Sequence, residues 1–404
     1  MSSKSVLKKS IQYAVGCACA IALAPASAEV IVGGNNGWEV SFDGSVNGFV
    51  VNESQDSTPA NTVGGNLADN QDSTRIRTGL LPAVFGFNVR SPIVDGLRGS
   101  ARIGMYPQIQ NSNTKNQFGS QIDLREAYFK VEGNFGEVQV GRSLSIFQAK
   151  NLLTDMTLFG VGVQGGVKGG GTTLGRIGYG YIYANFNANI RYTTPNYDGF
   201  QATAGIFDPS QIKGDVAATE TDTPRFEAEV SYAKQLGAGK FQTWLSGMSQ
   251  SAETTDGNSV RASGVAYGVQ YSMDMGLDLL ASGYTGKALG STLMLDTDSL
   301  DSLGEERDND GFILQAAYTF NGKTKVGLSY GESNADETSA DRSVRLSSGS
   351  RQIAAQSSVT FGVYHDVNKW LKIAAEYSRV KNEWHGEGND QEADVISLGG
   401  FFLW

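Results

Sequence analysis

From Trp38 onward the even positions carry Trp38, Val40, Phe42, Gly44, Val46, Gly48 and Val50, while the odd ones carry Glu39, Ser41, Asp43, Ser45 and Asn47. A period of two, with one greasy and one wet face, predicts a strand lying between lipid and an aqueous lumen. The phase recurs in Phe312, Leu314, Ala316, Tyr318 and Phe320, and in Val326, Leu328 and Tyr330 against Lys325 and Ser329. The last ten residues again set large apolar side chains on one face: Ile396, Leu398, Phe402 and Trp404. Beyond residue 28 no apolar run approaches the length of a transmembrane helix. A soluble β-sandwich would alternate in the same way, so the spacing of the polar breaks has to decide.

Long stretches rich in Gly, Ser, Asn and Asp fall at about 52–72, 108–120, 144–180, 209–223, 251–260, 287–310, 332–354 and 382–392. Between successive ones sits a tight break: 91–96, 133–136, 195–199, 236–239, 273–276, 321–323 and 366–369. Eight long and seven short connections imply sixteen strands with both ends on the short-turn side. Strict alternation of long and short is the plan of an outer-membrane barrel, with short periplasmic turns and long external loops. The expectation is therefore an all-β protein, a transmembrane antiparallel β-barrel of sixteen strands over residues 29–404.

Residues 1–28 read as a secretory signal peptide: Lys4, Lys8 and Lys9, then the apolar run from Ile11 to Leu23, then Ala26-Ser27-Ala28. A lipoprotein acceptor at Cys17 is the weaker alternative, because Ala14 stands where a leucine is usual. Both cysteines, Cys17 and Cys19, fall in this segment, which leaves residues 29–404 without disulfide or thiol chemistry. Without the three lysines, 29 Lys and Arg face 42 Asp and Glu, a balance of −13 that argues against nucleic acid as a partner.

The segment from Arg125 to Arg142, with Gly133-Asn134-Phe135-Gly136 at its turn and Gly141-Arg142 at its end, resembles the strand, turn and strand ahead of the third loop in the general porins of Gram-negative bacteria. Ile190 to Phe200 resembles the hairpin that follows that loop. The resemblance implies a homotrimer in the outer membrane, surrounded by lipid and lipopolysaccharide. Each barrel would be a water-filled pore through which small hydrophilic solutes and ions diffuse, narrowed by the third external loop. It also implies that Trp404, with Phe402, is an assembly signal for the outer-membrane assembly machinery.

The segment 144–180 fits the constriction loop: it is the longest connection and dense in glycine. It departs from the family pattern in offering Asp155 alone beside Lys150, Lys168 and Arg176, which predicts a weaker transverse field. For the opposing wall, Arg75 and Arg77 flank Ile76 and leave one face of a strand. On the lipid face each charge near the midplane would cost roughly 2 to 4 kcal/mol, so the lumen or the rim is expected. Arg125, Arg142 and Arg191 match family arginines. The alternation of Ala127, Phe129 and Val131, however, puts Arg125 on their apolar face.

Other chemistry is thin, and no cofactor or metal is expected. His365 and His385 lie near opposite ends of one hairpin, which disfavours a metal site or a Ser-His-Asp triad. The acids from Asp296 to Asp310 fail the calcium-loop order, because Asp301 occupies the glycine position. Tyr179, Tyr181 and Tyr183 alternate as an interfacial aromatic girdle would, with a sugar track inside the pore as the alternative. The expected function is a non-enzymatic diffusion channel. The alternatives are a solute-selective porin, a loop-mediated adhesin or phage receptor, and an outer-membrane hydrolase.

Overall fold

The computed structural model describes residues 29–70, 72–110, 123–165 and 171–404. The expected signal peptide and Lys168 lie outside these residues. The strands of the wall are β1 (Glu39–Gln55), β2 (Ser73–Arg77 and Val84–Arg90), β3 (Arg98–Tyr106), β4 (Asp123–Gly133), β5 (Gly136–Leu144), β6 (Phe186–Thr193), β7 (Phe200–Phe207) and β8 (Arg225–Gln235). They continue as β9 (Gly239–Thr254), β10 (Ser259–Met273), β11 (Leu277–Lys287), β12 (Asp308–Phe320), β13 (Thr324–Ala335), β14 (Arg351–Asp366), β15 (Leu371–Trp384) and β16 (Asp390–Leu403). Each pairs antiparallel with its neighbours, and β1 pairs with β16, so the sheet closes on itself in sixteen strands. The fifteen connections fall where the sequence put them, but the third long one runs on to Asn185 before β6 begins, and two expected to be long shrink to 255–258 and 385–389 because the flanking strands extend into them.

The period-2 phase sorts the side chains as expected. Val46, Val50, Leu314, Leu328, Ile396, Leu398 and Phe402 are exposed on the outer wall, while Ser45, Asn47, Glu53, Gln315 and Ser329 are buried on the inner one. A closed wall leaves no strand edge in the hydrocarbon, where each unpaired backbone group would cost several kcal/mol.

The seam carries two features absent from the strand count. The β16 ladder ends at Leu403 opposite Ser45, followed by the mutual Gly44–Trp404 backbone bonds of 2.9 and 3.0 Å. Beyond that point Val30–Gly33 takes over the edge of β1, with Val30 opposite Phe42 and Ile31 opposite Ser41. In β2 the ladder breaks between Arg77 and Val84, and residues 78–83 bend inward. Asn47 holds them there, its Nδ2 donating to Leu81 O and its Oδ1 accepting from Gly79 N, both at 2.9 Å.

External helix α2 (Ser339–Ser348) starts at a capping box in which Thr338 Oγ1 accepts from Asp341 N at 3.1 Å and the Asp341 carboxylate accepts from Thr338 N at 3.2 Å. The Thr338-Ser339-Ala340-Asp341 spacing is a helix-start signal that the strand count passed over.

Candidate functional site: the loop inside the barrel

The third long connection, 145–185, does not stay outside. It crosses the lumen and takes its hydrogen bonds from the wall, because a backbone removed from water must find partners. At its start Glu227 on β8 accepts from Ile146 N (2.7 Å) and Phe147 N (2.9 Å). Helix α1 (Ala149–Leu153) is fixed by Asn151, which accepts from Trp244 Nε1 on β9 (2.8 Å) and donates to Gly283 O on β11 (3.1 Å). A short 3-10 turn, Met156–Phe159, follows, with Met156 N donating to Gln315 Oε1 on β12 at 2.7 Å. On β15, Glu376 accepts from Val161 N (2.7 Å) and Gly162 N (2.8 Å) as well as from Tyr364 OH (2.5 Å). Gln164 then donates to Glu53 on β1, and the inbent residues of β2 pair with the loop through Leu80 N to Gly160 O and Thr173 N to Gly79 O.

Arg176 is fully buried and spans to the far wall, donating to Ser329 O on β13 and to Ser358 O and Oγ on β14. Burial pulls its guanidinium below the ordinary arginine value, with Asp155 first among the charges acting the other way. Tyr179 O lies so close to Gly331 that a Cβ there would collide with it, so glycine at this wall position lets the loop backbone approach.

Three apolar clusters bind the loop to its surroundings. Phe147 and Ile182 pack with Ile212, Leu289, Leu295 and Leu300 of two other external loops. Val161, Val163 and Tyr179 pack against Phe49, Val51 and the inner face of β14–β16. Leu152, Leu158, Ile177 and Tyr181 pack against Trp244, Leu280 and Ile313. At about 25 cal/mol per Å² of apolar surface, this burial keeps the loop in place.

The side of the lumen formed by β3–β8 is charged instead. Arg102 on β3 bonds Asp43 (2.5 Å) and Glu126 (2.6 Å), Lys130 meets Glu137 at 2.9 Å, and Lys150 of α1 reaches Glu229 on β8 at 3.3 Å. Arg191 donates to Leu144 O (3.0 Å) and Gln139 Oε1 (2.9 Å).

Several expectations change here. Arg125 is not on the lipid face. The register slips between Gly104 and Met105, so Arg125 is the extra residue of a β-bulge and leaves the phase of Ala127. It donates to Tyr183 OH at 3.1 Å and lies over the rings of Tyr106 and Phe186, in the lumen. Arg142, by contrast, is exposed, opposite Ala127 and Ala188 of the outer face. Tyr179, Tyr181 and Tyr183 form no girdle: they belong to the crossing loop, where Tyr179 OH donates to Asn382 and Tyr181 OH to Asp155. Asp155 does structural work, accepting from Thr157 N and Oγ1 at the start of the 3-10 turn. Arg77 is buried and donates to Gly171 O and Thr172 O of the loop, with Arg75 in the same strand phase. His365 bonds Thr324 Oγ1 and His385 bonds Ala335 O, each near a different end of the hairpin. Glu376 and Glu227, the main anchors of the loop, went unnoticed in the sequence, although each is a carboxylate at a lumen-phase position of its strand.

A closed wall of sixteen antiparallel strands, apolar outside and polar inside, with an external loop folded through it, defines an outer-membrane β-barrel channel. The family model for Gram-negative porins matches residues 14–385, and the chain belongs to that family: it is an outer-membrane porin through which small hydrophilic solutes diffuse passively. No curated protein sequence matches it. Among solved structures it is similar to the outer-membrane channel DcaP of Acinetobacter baumannii, with a TM-score of 0.69 and 13% identity over 93% of this chain and 100% of that one. It is also similar to the anion-selective porin of Comamonas acidovorans (TM-score 0.60, 16% identity, 90% of this chain and 100% of that one). The trimer form of OmpT from Vibrio cholerae gives a TM-score of 0.50 at 15% identity, over 91% of this chain and 100% of that one. At these identities the likeness is one of fold.

Proposed function

We propose that the segment 144–180 is the constriction of this pore and that the open path runs along β3–β8, between the α1 side of the loop and the charged wall. The observation that supports this is the distribution of contacts: the loop is packed with apolar side chains against β9–β16 and β1, and meets β3–β8 mainly through charged and polar groups. Lys150, Arg125 and Arg191, with Lys130 and Arg102, then line the narrow part, and Arg75 and Arg77 flank the loop from β2. Arg176 and Asp155 shape the loop rather than meet solute. The chain acts as a channel with no catalytic step, as a homotrimer in lipid and lipopolysaccharide; the trimer form of the Vibrio cholerae neighbour supports the oligomer. A second reading, a solute-selective porin, draws support from the way two further external loops pack onto the third.

Single-channel recording tests the constriction. Removing about ten residues around Gly165 to Gly171 is expected to raise the conductance, since ion flow through a pore is set by its narrowest part. Unchanged conductance in a folded deletion variant would exclude the loop from that role. Saturable block by one solute would favour the selective reading.

A further inference from the structure

Six lumenal cations among the described residues pair with a carboxylate: Arg102 with Asp43 and Glu126, Arg125 with Asp123, Lys130 with Glu137, Lys150 with Glu229, Arg225 with Glu227 and Lys372 with Asp366, while Arg77, Arg176 and Arg191 spend donors on carbonyl, hydroxyl and amide oxygens. Lys325 is different. It sits near the periplasmic end of β13, in the inward phase, opposite Thr319 on β12 and the buried Tyr364 on β14. The charged groups whose fields reach it are Asp278, Lys372 and Asp155. Both carboxylates are occupied: Asp278 accepts from Gln270 Nε2 (2.9 and 2.8 Å) and from Ser272 Oγ, and Asp155 accepts from Thr157 and Tyr181. No carboxylate among the described residues lies within ion-pair distance of the Lys325 ammonium.

The roof over this ammonium is the crossing loop. Met156 Sδ lies 2.7 Å from where a Cβ on Gly327 would stand, which places the 3-10 turn one inward position above Lys325. Phe159 of that turn lies over Lys372, 5.4 Å from Nζ to the ring centroid. Lys325 and Lys372 therefore flank Tyr364 and Asp366 just beneath the loop, one of them with its charge unspent.

We propose that Lys325, assisted by Lys372, is an anion-binding step at the periplasmic exit of the pore, taking small carboxylates and phosphates. The inference rests on the channel reading. An ammonium is a compact point charge with three donors, suited to a passing oxyanion rather than to one fixed bidentate geometry. Roofed by the loop and fronting low-dielectric protein, it acts more strongly than an equal charge on an external loop.

The test is planar-bilayer recording of wild type, Lys325→Gln, Lys325→Glu and Lys325→Arg, with a potassium chloride gradient for the reversal potential and inorganic phosphate as a blocker of chloride current. Lys325→Gln is expected to raise the half-blocking phosphate concentration by about tenfold, the effect of losing one favourable charge contact. Its reversal potential should move toward cation preference, and further in Lys325→Glu, while Lys325→Arg keeps the wild-type values. Conducting Gln and Glu variants with wild-type reversal potential and wild-type phosphate block would overturn the proposal. A wild-type barrel that carries no current would overturn the channel reading, and this step with it.

Discussion

Glu376 shows what a single side chain does in this barrel. Its carboxylate is the acceptor for two consecutive loop amides and a tyrosine hydroxyl, on a strand whose inner face is otherwise small or apolar nearby. Replacing it with alanine leaves the Val161 and Gly162 amides buried without partners, at about 1 to 3 kcal/mol each. Glu376→Ala is therefore expected to assemble as a barrel but with a loosened loop, read as a rise in open-channel noise and in protease sensitivity of the loop. Wild-type noise in a folded variant would show that the apolar clusters alone hold the loop. The inward position of Glu376 was legible, since period-2 phase reports a residue's face. Its partner was not, because Val161 is 215 residues away in the chain. Arg125 marks the opposite limit: phase placed it on the apolar face of its strand, and one extra residue in β4 turned it into the lumen. A bulge leaves no compositional trace.

Among the elements, strands and connections were countable because turns need glycine and polar residues wherever the chain reverses. What the long connections do once outside the membrane was not countable, since all of them share that composition. Three are stitched together by Arg307, which donates to both oxygens of Asp341 in the first turn of α2 (2.8 and 2.7 Å), to Asp215 (2.8 Å) and to Leu300 O (2.8 Å). Burial acts to raise the Asp341 pKa, but the hydrogen bonds and charge of Arg307 outweigh it and hold the carboxyl below its ordinary value. A group depressed in this way stabilises the loops fully above the ordinary aspartate value of 3.8, and that stabilisation is lost as pH falls through the lower folded value. External proteolysis of 288–307 and 336–350 is thus expected to be slow at neutral pH and to accelerate only in strong acid. Asp341→Asn should make cleavage faster already at pH 7, since the buried Arg307 then keeps only the more exposed Asp215 as a charge partner. Equal cleavage of the two proteins at pH 7 would dismiss the stitch.

For the whole molecule, closure is the governing constraint, and Trp404 sits where closure ends. Its backbone exchanges both bonds with Gly44, and its ring lies 5.9 Å from Phe402, which in turn lies 5.6 Å from Trp370 on the outer rim. Deleting Trp404, or changing it to Asp, is expected to leave unfolded chain in the periplasm. Heat-modifiable, folded protein at wild-type levels in the outer membrane would refute this. The sixteen-strand barrel was legible end to end because lipid enforces both alternation and an even strand number. The inbent residues 78–83 and the added Val30–Gly33 edge were not, as both depend on partners supplied from elsewhere in the closed wall.

The filling and the wall of this barrel are held by different forces. The wall is a continuous ring of backbone bonds in a solvent that offers no substitute; the filling is a set of side-chain clusters and single hydrogen bonds that water can replace. The two are therefore expected to give way at different temperatures. On gradual warming, current through one barrel should climb in a step well before the strands come apart, and should fall back on cooling, so that the intact cylinder serves as the mould in which its own stopper is recast.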